Sequence, residues 1–136
     1  MFDKPFKAEI VTPSRIVFSG DVVSVSAPGV LGGFQVLFNH APMISSIGIG
    51  MLTVKAPDGL DQRYATSGGF VEVRNNAVLV LVESAERAEE IDLARAEAAR
   101  DRAEKRLQEK ADDLNLARAE ASLQRALNRL RVAGRV

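Results

Sequence analysis

The feature that most constrains the fold is an abrupt change of composition near residue 85. Residues 1–84 contain all five prolines, nine of the ten glycines and all six phenylalanines. The rest of the chain contains no proline, one glycine and thirteen alanines. Proline and glycine divide a chain into short segments, whereas alanine has the highest helix propensity. The sequence therefore predicts two domains of different secondary structure, residues 1–86 and residues 87–136.

Residues 1–86 are expected to form a β-sandwich or barrel. Turn signals such as "TPSR", "APDG" and "RNN" recur roughly every eight to twelve residues. Between them lie β-branched runs, and "VVSVSA" and "FVEV" alternate with the period of a strand that has one buried face. The run "VLVLV", Val78–Val82, has no polar face and is predicted to be central. The stretch "SGGF", Ser67–Phe70, is predicted to be a turn whose glycines permit positive φ.

The second domain is predicted to be an antiparallel pair of helices over residues 88–111 and 113–133. Asp112 and Asp113 suit the start of the second helix through capping and dipole effects. Apolar residues at spacings of three and four predict the facing seam. Its members are Ala96, Ala99, Ala103, Leu107 and Ala111 on the first helix, and Leu116, Ala119, Leu123, Ala126 or Leu127, Leu130 and Ala133 on the second.

A seam made largely of alanine removes little apolar surface from water, at roughly 25 cal/mol per Å². The hairpin is therefore expected to be marginally stable without further support. Two arrangements that differ by only a few kcal/mol are what a conformational switch requires.

Charge and residue types exclude several classes of protein. Eighteen basic and eighteen acidic residues cancel, which argues against a nucleic-acid partner. There is no cysteine and one histidine, His40, so a metal site of these ligands is not expected. No "GxSxG" or "GxxxxGK" motif occurs, and no catalytic residue is predicted. The absence of a secretory signal or a membrane span favours a cytosolic protein peripheral to something larger.

The order of charges in the helical domain has two interpretations. Acidic residues, including Glu86 and Asp92, precede or begin the first helix, and Arg125, Arg129, Arg131 and Arg135 end the second. This order complements the helix dipoles. Alternatively, arginine forks bind an anionic ligand or an acidic surface of a partner. An antiparallel hairpin is expected to bring Arg95 close to Arg125 and Arg129 at its open end.

Five sequence stretches, taken in order, carry a resemblance to a known family. In the first half they are "VVSVSAPG", "FQVLFNHAP" and "ATSGGFVEVRNNAVLVLVESAERAEEID". In the second half they are "IDLARAEAARDRAEKRL" and "RAEASLQRALNRLRV". Together they cover nearly the whole chain, which resembles the epsilon subunit of bacterial ATP synthases, on the central rotor stalk.

The resemblance implies an N-terminal β-sandwich of about ten strands and a C-terminal antiparallel two-helix hairpin. In this family the sandwich docks on the gamma subunit and the c-ring, coupling rotation to proton transport in ATP synthesis. The hairpin is folded, or extends among the alpha and beta subunits, where acidic beta segments meet it and ATP hydrolysis is inhibited. The implied protein is non-catalytic and lies on the cytoplasmic face of the bacterial inner membrane, held there only through the complex.

Nucleotide-sensing members of the family carry the motif "I/L-D-x-x-R-A" at the start of the first helix and arginines on the second. ATP bound there holds the hairpin folded. The matching positions imply an ATP site, with ATP as a regulatory ligand and no metal required. The residues concerned are Glu86, Ile91, Asp92, Arg95, Ala96, Arg102, Arg125 and Arg129.

The loop around "NHAP" matches the one that faces the c-ring in the family. Where the family pattern has an acid, a second glycine and a proline, this sequence has Gly33, Gln35 and Phe38. A carboxylate contact with the ring is therefore not expected. Contact through Phe38 and His40 is predicted in its place.

Two alternatives stay open. The chain could be the same subunit without ATP sensing, its arginine cluster serving only to dock on acidic beta-subunit segments. It could also be an unrelated sandwich with a coiled-coil adaptor tail, which predicts tight homo-oligomerisation through the alanine seam.

Overall fold

A computed structural model describes residues 4–109 and 113–134, which form eight β-strands followed by two α-helices. The strands are β1 (Phe6–Val11), β2 (Ile16–Val22), β3 (Ser24–Ala27), β4 (Phe34–Val36), β5 (Met43–Lys55), β6 (Asp61–Arg74), β7 (Ala77–Val82) and β8 (Ala85–Arg87). The helices are α1 (Leu93–Gln108) and α2 (Asp113–Val132), preceded by a 3-10 turn, Ala88–Glu90. The chain divides into two compact units, Met1–Arg87 and Ala88–Val136.

The strands form one hydrogen-bonded path in the order β2-β1-β7-β6-β5-β3-β4, with β8 paired to β6. The β1–β7 pair is parallel and the other pairs are antiparallel. The "VLVLV" segment lies in β7, between β1 and β6, so its predicted central position is confirmed. Its apolar outer face is partly open to solvent, since Leu81 is 45% exposed.

The long strand β6 changes the face that it buries near its middle. The hydrophobic core contains Tyr64 at an even position but Val71 and Val73 at odd positions, while Ala65 is buried outside that core. Since side chains alternate along a regular strand, this change of phase requires a break. The break coincides with Gly68 and Gly69, whose φ angles are 102° and 153°. The predicted turn at "SGGF" was wrong, because these residues lie within β6, although positive φ at its glycines was right.

The break allows one strand to serve two layers. β8 pairs with β6 before the glycines, and β7 pairs with β6 after them. Strand β5 also changes phase, from buried Ile47 to buried Leu52 and Val54. The sandwich thus has eight strands where the resemblance implied about ten, because β5 and β6 each continue unbroken through their change of phase.

The core of the sandwich consists of small and branched apolar side chains from all its layers. Its most completely buried members include Ile10, Val22, Val25, Leu52, Val71 and Val80. Tyr64, also buried, donates its hydroxyl to Gln62 Oε1 at 2.8 Å. The polar groups inside this core are thus paired, as burial requires.

Helix α1 begins later than its alanine content predicts. The prediction of a helix from residue 88 was wrong, because Asp92 caps the helix and Ala88–Glu90 form a separate 3-10 turn. At the other end Glu109 donates its backbone N–H to the carbonyls of Lys105 and Arg106. The predicted roles of Ala111, Asp112 and Arg135 lie outside the described residues.

Helices α1 and α2 pack against each other, and the short connection from 108 to 113 makes them antiparallel neighbours. Ala96 and Ala103 are buried on α1, and Ala119, Ala126 and Leu130 are buried on α2. These are five of the residues predicted for the seam. The sequence did not predict that Asn128 and Val132 of α2 would also be buried. The end of α2 is closed by Gly134 at φ 83°, whose N–H bonds to the Arg131 carbonyl.

Candidate functional site

Most residues of the motif at the start of α1 have a structural role, which is to begin the helix. Asp92 has an extended backbone, and its Oδ1 accepts the backbone N–H of Arg95 at 3.1 Å, as an N-cap does. Ile91 and Ala96 occupy the two positions of a hydrophobic staple around that cap, and both are buried. Helix initiation thus accounts for Ile91, Asp92 and Ala96. The exposed guanidinium of Arg95 has no part in it.

A groove of about 230 Å³ lies between α1 and α2 and is lined by residues of both helices. The two buried alanines Ala103 and Ala126 allow the helix backbones to approach closely, so long side chains from both share one opening. The lining consists of Ala99, Arg102, Ala103 and Arg106 of α1 and Ser122, Arg125, Ala126 and Arg129 of α2. We call this the arginine groove.

The arginine groove concentrates positive charge. Its lining includes four arginines and no acidic residue. Of the ion pairs between described residues, none involves Arg102, Arg106 or Arg125. Arg125 instead donates from Nη2 to Ser122 Oγ at 3.2 Å. On each helix the two arginines are four residues apart, a spacing at which like charges destabilise a helix by about 0.2–0.5 kcal/mol. An anion in the groove would relieve this repulsion.

The structure brings together three of the residues predicted for the ATP site, namely Arg102, Arg125 and Arg129. Arg95 is not among the residues that line the groove. It lies seven residues before Arg102, which is two helical turns and about 10 Å along the same face of α1. Glu86 belongs to β8, in the sandwich unit, where it pairs in register with Ala65.

Arg106 is the groove arginine that sequence reasoning missed, and Ser122 was not predicted either. The family resemblance assigns it no role, and its position in the last turn of α1 is explained by the helix dipole alone. A signal was nevertheless present, because Arg106 follows Arg102 by four residues and therefore lies on the same face of the helix.

The predicted c-ring contacts, Phe38 and His40, lie in the loop between β4 and β5. Phe38 is half-buried against the sandwich core, and Lys4 Nζ lies 5.4 Å from its ring centroid. His40 Nδ1 is 2.7 Å from the carbonyl oxygen of Ala41. The loop is tied to the β6–β7 turn, because Asn39 donates its N–H to Asn76 Oδ1 at 2.7 Å. The ring of Phe38 is thus less available for contact than its sequence position suggests.

Among the exposed apolar side chains of the sandwich are two pairs of neighbours. Leu31, in the β3–β4 loop, is 103% exposed, and its neighbour Val30 is 63% exposed. On the outer face of the sheet, Phe70 pairs in register with Leu81, and both are exposed. Exposed apolar groups that cluster in this way are typical of protein–protein contact surfaces.

The sandwich also carries a groove of about 540 Å³. Unlike the arginine groove, it is lined by side chains of both charges. Lys7 and Arg74 share it with Glu9 and Glu72, so the two signs balance and no net attraction for an anion results. Among the described residues, no group of three or more His, Cys, Asp or Glu side chains could hold a metal ion. Over the same part of the chain, neither helix is long and apolar enough to span a membrane.

A β-sandwich followed by a helical pair with an arginine groove defines a two-domain protein. The family model of the ATP synthase delta/epsilon chain β-sandwich domain matches residues 5–88, and that of the long α-helix domain matches residues 89–134. The chain therefore belongs to the delta/epsilon chain family of ATP synthases.

Its relatives include bacterial ATP synthase epsilon chains. That of Pelotomaculum thermopropionicum is 55% identical over 107 residues, which are 79% of this chain and 79% of the relative. That of Desulfosudis oleivorans is 52% identical over 102 residues, or 75% of this chain and 77% of the relative. The predicted class, a non-catalytic epsilon subunit of the ATP synthase central stalk, is confirmed at this level.

Solved structures support the fold. A chain of the Euglena gracilis mitochondrial ATP synthase, in an OSCP/F1/c-ring structure, has a TM-score of 0.80 at 22% identity and covers 88% of this chain and 76% of its own length. A chain of the Tetrahymena thermophila mitochondrial ATP synthase central stalk and c-ring has a TM-score of 0.62 at 11% identity, with coverages of 93% and 95%. The predicted β-sandwich with two C-terminal helices is confirmed.

Proposed function

We propose that this stalk subunit couples rotation to proton flow through its sandwich and inhibits ATP hydrolysis through its hairpin, which bound ATP holds folded. The observation that carries the ATP-sensing part is the arginine groove. Its guanidiniums come from both helices, so a polyphosphate bound there contacts α1 and α2 at the same time.

A ligand that bridges two helices stabilises their packed arrangement. Ligand that binds only the folded hairpin adds RT ln(1 + [L]/Kd) to its stability, about 2.7 kcal/mol at one hundred times Kd. The seam opposes opening only weakly, because four of its buried residues, Ala96, Ala103, Ala119 and Ala126, are alanines and alanine buries little apolar area. ATP binding can therefore decide which arrangement predominates.

The proposed partners are the gamma subunit, the c-ring and the alpha and beta subunits, which places the protein on the cytoplasmic face of the bacterial inner membrane. The exposed apolar groups at Val30, Leu31, Phe70 and Leu81 support docking of the sandwich on other protein chains. The similar solved structures belong to an OSCP/F1/c-ring assembly and a central stalk/c-ring assembly of mitochondrial ATP synthases, which supports the same set of partners.

Isothermal titration of the full chain with ATP tests the sensing part of the proposal. We expect saturable binding to the unaltered protein and a loss of about tenfold or more in affinity for Arg125→Ala, since the substitution removes a charge-assisted contact. Arg118→Ala is the matched control. Arg118 is exposed on the same helix but does not line the groove, so its removal should leave the affinity unchanged.

Absence of binding at millimolar ATP would exclude nucleotide sensing. The alternative function, docking of the arginine groove on acidic beta-subunit segments, would then be favoured. In that case Arg125→Ala should still weaken inhibition of ATP hydrolysis in the reassembled synthase, and the inhibition should not depend on ATP.

A further inference from the structure

Ser122 is the only serine or threonine in residues 88–136. It stands in the stretch "RAEASLQRAL" of α2, whose other residues favour a helix. Alanine has a higher helix propensity than serine, because a serine hydroxyl competes for backbone hydrogen bonds. Helix formation therefore does not account for a hydroxyl group at this position, and a contact made by that group is the better explanation.

The hydroxyl group of Ser122 contacts a guanidinium of the arginine groove. Nη2 of Arg125 donates to Ser122 Oγ at 3.2 Å, and both residues line the groove. Ser122 lies three residues before Arg125, whereas Arg129 lies four residues after it. At these spacings side chains on one face of a helix meet. The hydrogen bond therefore draws the Arg125 guanidinium toward Ser122 and away from the like charge of Arg129.

The same hydrogen bond leaves Arg125 able to bind an anion. A guanidinium has several N–H donors, and Ser122 occupies one on Nη2. Arg125 is exposed, and a long exposed side chain loses rotamer freedom when it binds a ligand, which lowers the affinity. A side chain that is already held in the groove loses less of this freedom, so the bond to Ser122 preorganises Arg125.

We propose that Ser122 is a positioning residue, which raises the affinity of the arginine groove for an anion by holding Arg125 in place. The hydroxyl group acts through Arg125 and is not required to touch the ligand. This inference rests on the proposed function, because ATP is taken as the anion that the groove binds.

A positioning role and a role in helix stability predict opposite effects. Ser122→Ala should keep or raise the midpoint for thermal loss of the circular dichroism signal at 222 nm, because alanine favours the helix. Its affinity for ATP should nevertheless fall about two- to tenfold. Ser122→Thr keeps the hydroxyl group and should retain the affinity, although threonine lowers the helix propensity. A weakened hairpin cannot produce this inverse order.

The test is calorimetric titration of the full chain with ATP. Gln124→Ala is the matched control, since Gln124 is exposed on the same helix but does not line the groove, and its affinity should equal that of the parent. In an Arg125→Ala background, Ser122→Ala should change the affinity less than about twofold, because a residue that acts through Arg125 has no effect once Arg125 is absent.

A measurement without ligand tests the hydrogen bond by itself. NMR relaxation of the arginine Nε–H groups reports on the motion of each guanidinium. Ser122→Ala should increase the motion of Arg125 and leave that of Arg118, which is exposed on the same helix and lies outside the groove, unchanged.

Three results would overturn the inference and leave the proposed function standing. They are unchanged ATP affinity in Ser122→Ala, equal losses in Ser122→Thr and Ser122→Ala, and unchanged motion of Arg125 in Ser122→Ala. A loss of the same size in the Arg125→Ala background would have the same meaning. If the unaltered chain binds no ATP, the proposed function fails and the inference fails with it.

Discussion

Asp92 combines a structural role with a proposed ligand contact. Its carboxylate caps α1, so a substitution there changes the start of the helix as well as any nucleotide contact, at a cost of about 1 kcal/mol. The guanidiniums of Arg102 and Arg125 are exposed and can be removed without disturbing a cap. A change of affinity in an arginine variant therefore reflects lost contact with the ligand. A change in an Asp92 variant reflects both the lost contact and the altered start of the helix.

Gly69 is the residue at which the sandwich is most sensitive to a single added carbon. A Cβ there would lie 1.9 Å from the Leu81 carbonyl oxygen and 2.8 Å from Val82 Cα. Since both are backbone atoms of the neighbouring strand, the clash cannot be relieved by a side-chain rotation. We expect Gly69→Ala to lower the free energy of unfolding of the sandwich by about 3 kcal/mol, measured by urea denaturation.

Tyrosine fluorescence can follow this unfolding, and a substitution at another glycine serves as the control. It has one tyrosine and no tryptophan, and Tyr64 is buried in the sandwich, so tyrosine fluorescence reports on that unit. At Gly48 of β5 a Cβ would meet nothing within 4 Å, and Gly48→Ala should leave the stability nearly unchanged. Equal stabilities of the two variants would contradict the packing described for Gly69.

From the sequence, site residues could be predicted only at positions that match the family's nucleotide-binding motif. Arg102, Arg125 and Arg129 follow from resemblance, whereas Arg106 does not, since the motif leaves it out and its spacing from Arg102 alone does not show that it lines the same groove. The exposure of Leu31 was not predicted either. Whether an apolar residue next to glycines is buried depends on tertiary contacts that local sequence does not encode.

At the scale of the elements, the helical pair and most strands could be predicted because hydrophobic periodicity is a local property. The beginning of α1 could not be placed from composition, since alanine and glutamate favour a helix before Asp92 as well as after it. The joining of "RYAT" and "FVEV" into the single strand β6 was also missed. Glycines usually indicate a turn, but here they allow one strand to pass between two layers.

The close approach of α1 and α2 depends on the alanines at four of the buried seam positions. Ala103 is 1% exposed, so Ala103→Leu should force the helices apart at a cost of about 1–3 kcal/mol. We expect a lower midpoint for thermal loss of the signal at 222 nm in circular dichroism, with an unchanged transition of Tyr64 fluorescence.

Ala98→Leu provides the comparison, because Ala98 is exposed on the same helix and leucine has nearly the helix propensity of alanine. Its helical transition should match that of the parent. If Ala103→Leu also matches the parent, the alanine seam does not hold the hairpin together.

At the scale of the whole molecule, the two units depend on different physical terms. The sandwich has a continuous core of branched apolar residues, whereas the hairpin has an alanine seam and a groove of like charges. The first is suited to a fixed docking body, and the second to an equilibrium that a bound anion can shift. This division follows the change of composition near residue 85, which is why the domain organisation could be expected from the sequence.

The central claim is that the arginine groove, and no surface of the sandwich, is the ATP site. A titration of the isotope-labelled full chain with ATP, followed by backbone amide NMR, tests it most directly. We predict shifts concentrated in residues 92–106 and 122–129, with amides near Lys7 and Arg74 in the charge-balanced sandwich groove unaffected. Shifts centred on the sandwich, or none at millimolar ATP, would contradict the account.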